Sequence, residues 1–213
     1  MPQYLALLSD LDGTLVDTEP QHADAWLAVL ADLGLNYDHQ WFEQWIGTSD
    51  RFLAASVIEE HDLDFSVRDL QTRKQVLYHQ AAARSATVFP GVEPIFRAIA
   101  GRVPTAIATN SGRGDADAVF RATQLDLIAH ATITADDVEH LKPAPDIYLA
   151  AAAALGVDPA ACVAIEDSEA GSLAARAAGA YVLGLSLAPR HACREFFTDN
   201  VSAFKRAAEL LGV

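Results

Sequence analysis

The stretch LLSDLDGTLVDTEPQH, residues 7–22, runs from an apolar, strand-like segment into two carboxylates, Asp10 and Asp12, set one residue apart. Two negative charges held together where a strand ends cost free energy unless a cation, a proton or hydrogen-bond donors offset them. The sequence must therefore supply those partners from elsewhere.

From about residue 88 onward, strand-like and helix-like pieces alternate. VPTAIATN, ATITADD, CVAIEDS and YVLGLSLA read as strands, and PGVEPIFRAIAG, GRGDADAVFRATQL, PAPDIYLAAAAALG and AGSLAARAAGA as helices. Such alternation predicts parallel strands joined by crossover helices. The strand runs carry few polar residues on either face, so the sheet is expected to be covered on both sides. With LALLSD as its first strand, this predicts an α/β, doubly wound (Rossmann-like) parallel-sheet core.

Between residues 18 and 87 the pattern changes. QHADAWLAVLADLG and FLAASVIEEH carry apolar residues at helical spacing, and no convincing strand is present. The expected organisation is a core of residues 1–17 and 88–213 with an α-helical insertion of residues 18–87. No repeat, low-complexity tract or long linker is evident.

Composition narrows the classes. A chain of 213 residues buries roughly 70% of its unfolded surface and needs no disulfide staples. Its two cysteines, Cys162 and Cys193, fit a reducing compartment, and neither is given a catalytic role. The start MPQYLALLSD has no basic leader region, and the apolar stretch IYLAAAAALGV falls short of the ~20 residues that a membrane span requires. A cytoplasmic protein acting as a monomer is expected, with no membrane partner. With 15 basic and 29 acidic side chains, the formal charge of -14 repels nucleic acid and anionic membranes. A small anionic substrate would need a local cation.

In open parallel sheets, ligand sites form at the carboxyl ends of the strands. Each polar cluster falls at such an end: Asp10 and Asp12 after LALLS, Thr109, Asn110 and Ser111 after TAIA, and Glu166 and Asp167 after CVAI. Lys142 precedes the helix start at PAPD. A calcium loop is excluded, because that pattern puts Gly sixth and Glu twelfth, whereas counting from Asp10 Gly13 is fourth and Gln21 twelfth. Taken singly, Asp10 and Asp12 read as turn or cap residues, Thr109 as a turn residue, Lys142 as a solvated charge and EDS as a helix cap. Their joint occurrence argues for an oxygen-rich site suited to magnesium.

The segments DLDGTLVDTE, ATNS, KPAPDIY and EDSEAG occur in an order that resembles the haloacid dehalogenase superfamily of phosphotransferases. The likeness spans essentially the whole chain and is to the branch that includes beta-phosphoglucomutase and sugar-phosphate phosphatases. It implies that Asp10 is the nucleophile that forms an aspartyl-phosphate and that Asp12 is the general acid/base. It implies that Thr109 and Lys142 hold the transferring phosphoryl oxygens, with Asn110 and Ser111 also meeting substrate. Magnesium would be held by Asp10, the Asp12 carbonyl and Asp167, with Glu166 acting directly or through another group.

The insertion resembles the family's α-helical cap, which closes over the site and excludes water. DTEPQHADAW and TVFPGV would be its hinges. His22 lies where the mutase branch has a histidine that aids acid/base catalysis, although a hinge-packing role stays open. Lys74, in TRKQVLY, matches a lysine that touches the substrate's non-reacting end. IGTSDRF, residues 46–52, resembles the loop that reads substrate, but Asp50 stands where the mutase pattern has Arg. That departure weakens a mutase assignment.

Arg113, in NSGRG, is a candidate contact to a phosphate or sugar against a solvent-facing default. Trp26, Trp41 and Trp45 are read as core of the helical insertion.

The expected function is a magnesium-dependent phosphatase acting on a small phosphorylated metabolite, a sugar or polyol phosphate. The alternative is a beta-phosphoglucomutase-like phosphotransferase. A dehalogenase would leave Asp12 without a leaving oxygen to protonate. A non-enzymatic metal-binding module predicts damage at the matched positions, and none is damaged.

Overall fold

A computed structural model describes residues 4–46, 48–185, 188 and 190–213. Gly47, inside the expected substrate-reading segment, and Ser186 and Leu187, at the end of the expected last strand, lie outside the described residues. The chain divides into two compact units, Met1–Asp17 with Thr87–Val213, and Thr18–Ala86.

Among the described residues, eight strands belong to the first unit: β1 (Ala6–Ser9), β2 (Val16–Asp17), β3 (Thr87–Val88), β4 (Thr105–Ala108), β5 (Ala131–Ile133), β6 (Cys162–Glu166), β7 (Tyr181–Leu185) and β8 (Glu195–Phe197). Six form one parallel sheet in the order β5-β4-β1-β6-β7-β8. The other two, β2 and β3, form a small antiparallel ribbon in which Asp17 pairs with Thr87. Thr87, assigned to the insertion by the sequence reading, thus belongs to the first unit. Each of its strands has two residues, too few to show an alternating pattern, so the ribbon escapes a reading by periodicity.

The strand order reverses beside β1, which lies between β4 and β6. Ser9 is level with Ile107 on one side and Ile165 on the other, so the three strand ends that carry Asp10, Thr109 and Glu166 emerge side by side.

The second unit contains α1 (Glu19–Asp32), α2 (His39–Phe42), α3 (Asp50–His61) and α4 (Val67–Ser85). Trp26, Val29, Leu30, Leu53, Val57 and Leu70 form its core, with Trp41 and Trp45 packed against them. The three tryptophans are therefore packing residues of this unit. Ser49 and Ser66 start α3 and α4 by accepting hydrogen bonds from the Phe52 and Asp69 amides.

Helices α5 (Val92–Ala100), α6 (Arg113–Thr123), α7 (Asp146–Leu155), α8 (Glu169–Ala178) and α9 (Asn200–Leu211) complete the first unit. Alternation along the strands sorts the core. Ala6, Leu8, Ala106, Ala108 and Ala164 join α7 and α8 residues in one buried cluster, where small side chains let the Ala-rich α7 approach the sheet. Helices α5 and α9 pack on each other, with Phe96 and Phe204 meeting edge to face at 6.3 Å. Side-chain caps at Ser168 and Asp199 and left-handed glycines at Gly179 and Gly212 bound α8 and α9. Among the described residues no helix is long and apolar enough to cross a membrane.

Candidate active site

The turn after β1 shapes the site. The Asp10 amide still donates to the Ile165 carbonyl at 3.1 Å, so Asp10 is held as a continuation of the sheet. The chain then folds back, with the amides of Leu15 and Val16 both donating to the Leu11 carbonyl at 2.9 Å. Gly13 sits at φ 76°, and a Cβ there would collide with the Asp167 carboxylate. Only glycine suits both the backbone conformation and that close approach.

Lys142 enters from the loop before α7, where the Lys142–Pro143 peptide bond is cis. Its ammonium donates to Asp10 Oδ1 at 2.6 Å, Glu166 Oε1 at 2.5 Å and the Ala108 carbonyl at 2.9 Å. All three donors of the ammonium are thereby used. Asn110 secures this loop: its Oδ1 accepts from the Lys142 amide at 3.0 Å. Thr109 Oγ1 and Ser111 Oγ donate to Asp12 Oδ2 at 3.2 and 2.8 Å, and the Ser111 amide donates back to Thr109 Oγ1 at 3.0 Å. Both hydroxyls aim at the same Asp12 oxygen, Oδ2.

Glu166 is fully buried. Tyr148 donates to its Oε1 at 2.6 Å, while Ser168 donates to Oε2 through its hydroxyl at 3.0 Å and its amide at 3.3 Å. Gly171 makes room, since a Cβ there would overlap the Glu166 carboxyl group. Tyr148 lies within the KPAPDIY segment, where residue type alone gives no sign of this contact. Only the tertiary fold aims its hydroxyl at Glu166.

The electrostatics are those of a site short of positive charge. Burial, opposed by Lys142 and reinforced by Glu166, Asp167 and Asp12, pushes the Asp10 carboxyl well above its ordinary range. Burial and then Glu166 push Asp167 up to about 7. Burial acts to lower the Lys142 ammonium, but Asp10 and Glu166 outweigh it and hold the charge. Asp10, Glu166 and Asp167 each offer an oxygen, all within 4.8 Å of one another. A hard divalent cation fits this all-oxygen, electron-rich set.

Not every expected site residue joins this cluster. Arg113 turns to Asp137, its guanidinium at 2.6 Å, and its amide donates to Asp136 at 2.7 Å. His22 and Lys74 meet in the second unit. There the Lys74 ammonium lies 2.6 Å from His22 Nδ1 and 2.7 Å from Asp50 Oδ2, while Trp26 Nε1 donates to Asp50 Oδ1 at 2.8 Å. Asp50, the departure from the mutase pattern, is thus the counter-ion of Lys74. Lys74 and Trp26 hold its carboxyl below the ordinary range against the effect of burial.

The chain belongs to the haloacid dehalogenase-like hydrolases, whose family model matches residues 4–179. It is 37% identical to fructose-1-phosphate phosphatase YqaB of Escherichia coli over 177 residues, 83% of this chain and 94% of that protein. It is 28% identical to beta-phosphoglucomutase of Bacillus subtilis, over 84% of this chain and 82% of that one. Among solved structures, a HAD family hydrolase from Deinococcus radiodurans with bound phosphate and sodium superposes with a TM-score of 0.77 at 29% identity, covering 99% and 97% of the two chains.

Proposed function

We propose that this enzyme is a magnesium-dependent phosphatase that hydrolyses a small sugar or polyol phosphate through an aspartyl-phosphate on Asp10. The observation that carries the reading is the division of labour between the acidic pair: Asp10 is bound by the Lys142 ammonium, whereas Asp12 is bound by the Thr109 and Ser111 hydroxyls. A nucleophile that must meet an anionic phosphate needs a cation beside it, and an acid/base must be held without having its proton removed.

In the first half-reaction an Asp10 oxygen attacks phosphorus and the ester P–O bond breaks. Asp12 donates its proton to the leaving oxygen. In the second half, Asp12 takes a proton from water as that water attacks phosphorus and the bond to Asp10 breaks, releasing inorganic phosphate. Lys142 offsets the negative charge of the transferring group. Asp10, Asp167 and the Asp12 carbonyl would hold magnesium, which supplies further charge neutralisation. Glu166 already receives four hydrogen bonds, so its role is to back Lys142.

The phosphatase name of the Escherichia coli relative and the phosphate bound to the Deinococcus radiodurans protein support this reading. No disulfide joins Cys162 and Cys193, which is in keeping with a cytoplasmic setting. Release of inorganic phosphate from a panel of sugar and polyol phosphates, fructose 1-phosphate among them, with product identification, is the test. Failure to release phosphate from every member in the presence of magnesium would overturn it.

A further inference from the structure

The turn from Leu11 to Val16 that sets Asp12 beside Asp10 has few residues and much to fix. Its carbonyl partners are informative: Leu11 accepts from the amides of Leu15 and Val16, Val16 from that of Gly13, and Leu15 from that of Phe89. The carbonyls of Gly13 and Thr14 instead meet a side chain 187 and 186 residues away in sequence: Asn200 Nδ2 donates to them at 3.1 and 2.9 Å.

We propose that Asn200 is a positioning residue for the candidate reaction, its side-chain amide clamping the Gly13 and Thr14 carbonyls and so fixing Asp12 relative to Asp10. The inference rests on the roles proposed above for that pair. Both partners are carbonyls, so only the NH2 end of the amide can face them, and its two hydrogens are matched to two acceptors. The helix does not need this side chain. Asp199 is the N-cap of α9 and accepts from the Ser202 amide at 2.8 Å, leaving Asn200, the first helical residue, to reach the turn. The platform is rigid, since α9 is anchored through Phe204 against Phe96. Misplacing a reacting group by about 1 Å costs on the order of 10²-fold in rate, so a turn with two slack carbonyls loses rate before it loses its fold.

The substitution Asn200→Asp separates the two roles. A carboxylate has the same shape but no hydrogen to donate, and it faces two carbonyl oxygens. In the first turn of a helix, however, it is favoured by the macrodipole, so α9 itself is not weakened. The expected result is a fall in kcat of about 10- to 100-fold with KM within about threefold. Amide hydrogen exchange, read without substrate, should accelerate at residues 13–16 and stay unchanged in the rest of the unit. Asn200→Ala removes the donor without adding charge and should show the same local exchange, which covers a poorly folding Asp variant. Asp199→Ala is the control: it should lower Tm by breaking the cap while kcat holds.

Wild-type exchange at residues 13–16 in both Asn200 variants would overturn the clamp, and it would do so even if the wild-type protein released no phosphate. Accelerated exchange with unchanged kcat would overturn the positioning role, as would exchange that rises uniformly across the unit.

Discussion

The molecule buries two lysines, and their surroundings differ in charge. The Lys142 side chain is 4% exposed and the Lys74 side chain 3% exposed, so desolvation weighs on both alike. Lys142 contacts Asp10 and Glu166, with Asp12 and Asp167 adding to the same negative field, which makes four carboxylates to one ammonium. Lys74 has one carboxylate, Asp50, and a histidine. The Lys74 ammonium lies against His22 Nδ1 at 2.6 Å and the Asp50 carboxylate at 2.7 Å. The first cluster still lacks positive charge, whereas the second is balanced. A buried cluster with unspent charge is where a cation and an anionic group can be exchanged; a balanced one resists taking up another ion.

The largest break in this comparison is the removal of Asp10. Asp10→Asn keeps the shape of the side chain and removes the attacking charge, so turnover should fall by about 10⁴-fold or more. Circular dichroism should be unchanged, because Lys142 retains Glu166 and the Ala108 carbonyl. A folded variant with more than a few per cent of wild-type phosphate release would show that Asp10 is not the nucleophile.

The next break is the removal of metal. Chelation should abolish turnover and magnesium should restore it, and magnesium at 100 times its Kd should stabilise the fold by about 2.7 kcal/mol. The pH dependence has a defined sign. A carboxyl raised from 3.8 to about 7, as at Asp167, binds its proton more tightly in the folded state than in the unfolded one. Its contribution therefore makes the metal-free protein most stable at low pH and costs stability as pH rises from about 4 through 7. Magnesium competes with that proton, so its affinity should increase as pH rises through the same window. Calorimetric titrations from about pH 4 to 8 would check both trends; a magnesium affinity independent of pH would refute the assignment of Asp167.

How much of this was legible in the sequence follows from how each part is specified. Strands β1, β4, β6 and β7 are continuous apolar runs whose carboxyl ends carry the polar clusters, so both the sheet and the acid-rich site could be read locally. The ribbon of β2 and β3 has two residues on each side, and β8 has three half-buried ones, too few for a period. The last helix lies beyond the motifs that mark the site, so nothing in the sequence singles out Asn200. Tyr148 and Arg113 mark the limit in the two directions. Residue type gives no sign of what Tyr148 meets, and Arg113 is a candidate phosphate or sugar contact against a solvent-facing default; only tertiary packing directs Tyr148 to Glu166 and Arg113 to Asp137.

A smaller effect is expected at the balanced cluster. If Lys74 binds the substrate's non-reacting end, as the resemblance implies, Lys74→Ala should lower kcat/KM for sugar phosphates by about 10- to 100-fold while changing p-nitrophenyl phosphate by less than about threefold. The same change leaves Asp50 without its counter-ion, and a fall in Tm should accompany it; the loss is limited because the Asp50 side chain is 39% exposed. Equal losses on both substrates would place Lys74 outside recognition.

The smallest expected effect decides between phosphatase and mutase. A mutase must retain a bisphosphate intermediate, so a second phosphate has to be held by cations distant from Asp10. Here Lys74 is already neutralised by Asp50, and water should win the phosphorylated Asp10. With a bisphosphate primer, beta-glucose 1-phosphate should yield inorganic phosphate or nothing, and little glucose 6-phosphate. Rapid, near-stoichiometric glucose 6-phosphate would overturn both the phosphatase reading and the charge-balance argument. Asp50→Arg imitates the mutase pattern, but it would set two cations together beside Trp26, where Asp50 now accepts the indole N–H, and is expected to destabilise the helical unit. Asp50→Asn is the gentler test: the amide oxygen can still accept from Trp26 while the negative charge is gone. The freed charge on Lys74 should tighten binding of glucose 1,6-bisphosphate by about two- to fivefold, the scale of one partly exposed ion pair, and leave monophosphate binding nearly unchanged. Equal bisphosphate affinity in a folded Asp50→Asn variant would show that something other than the Asp50 charge keeps a second phosphate out.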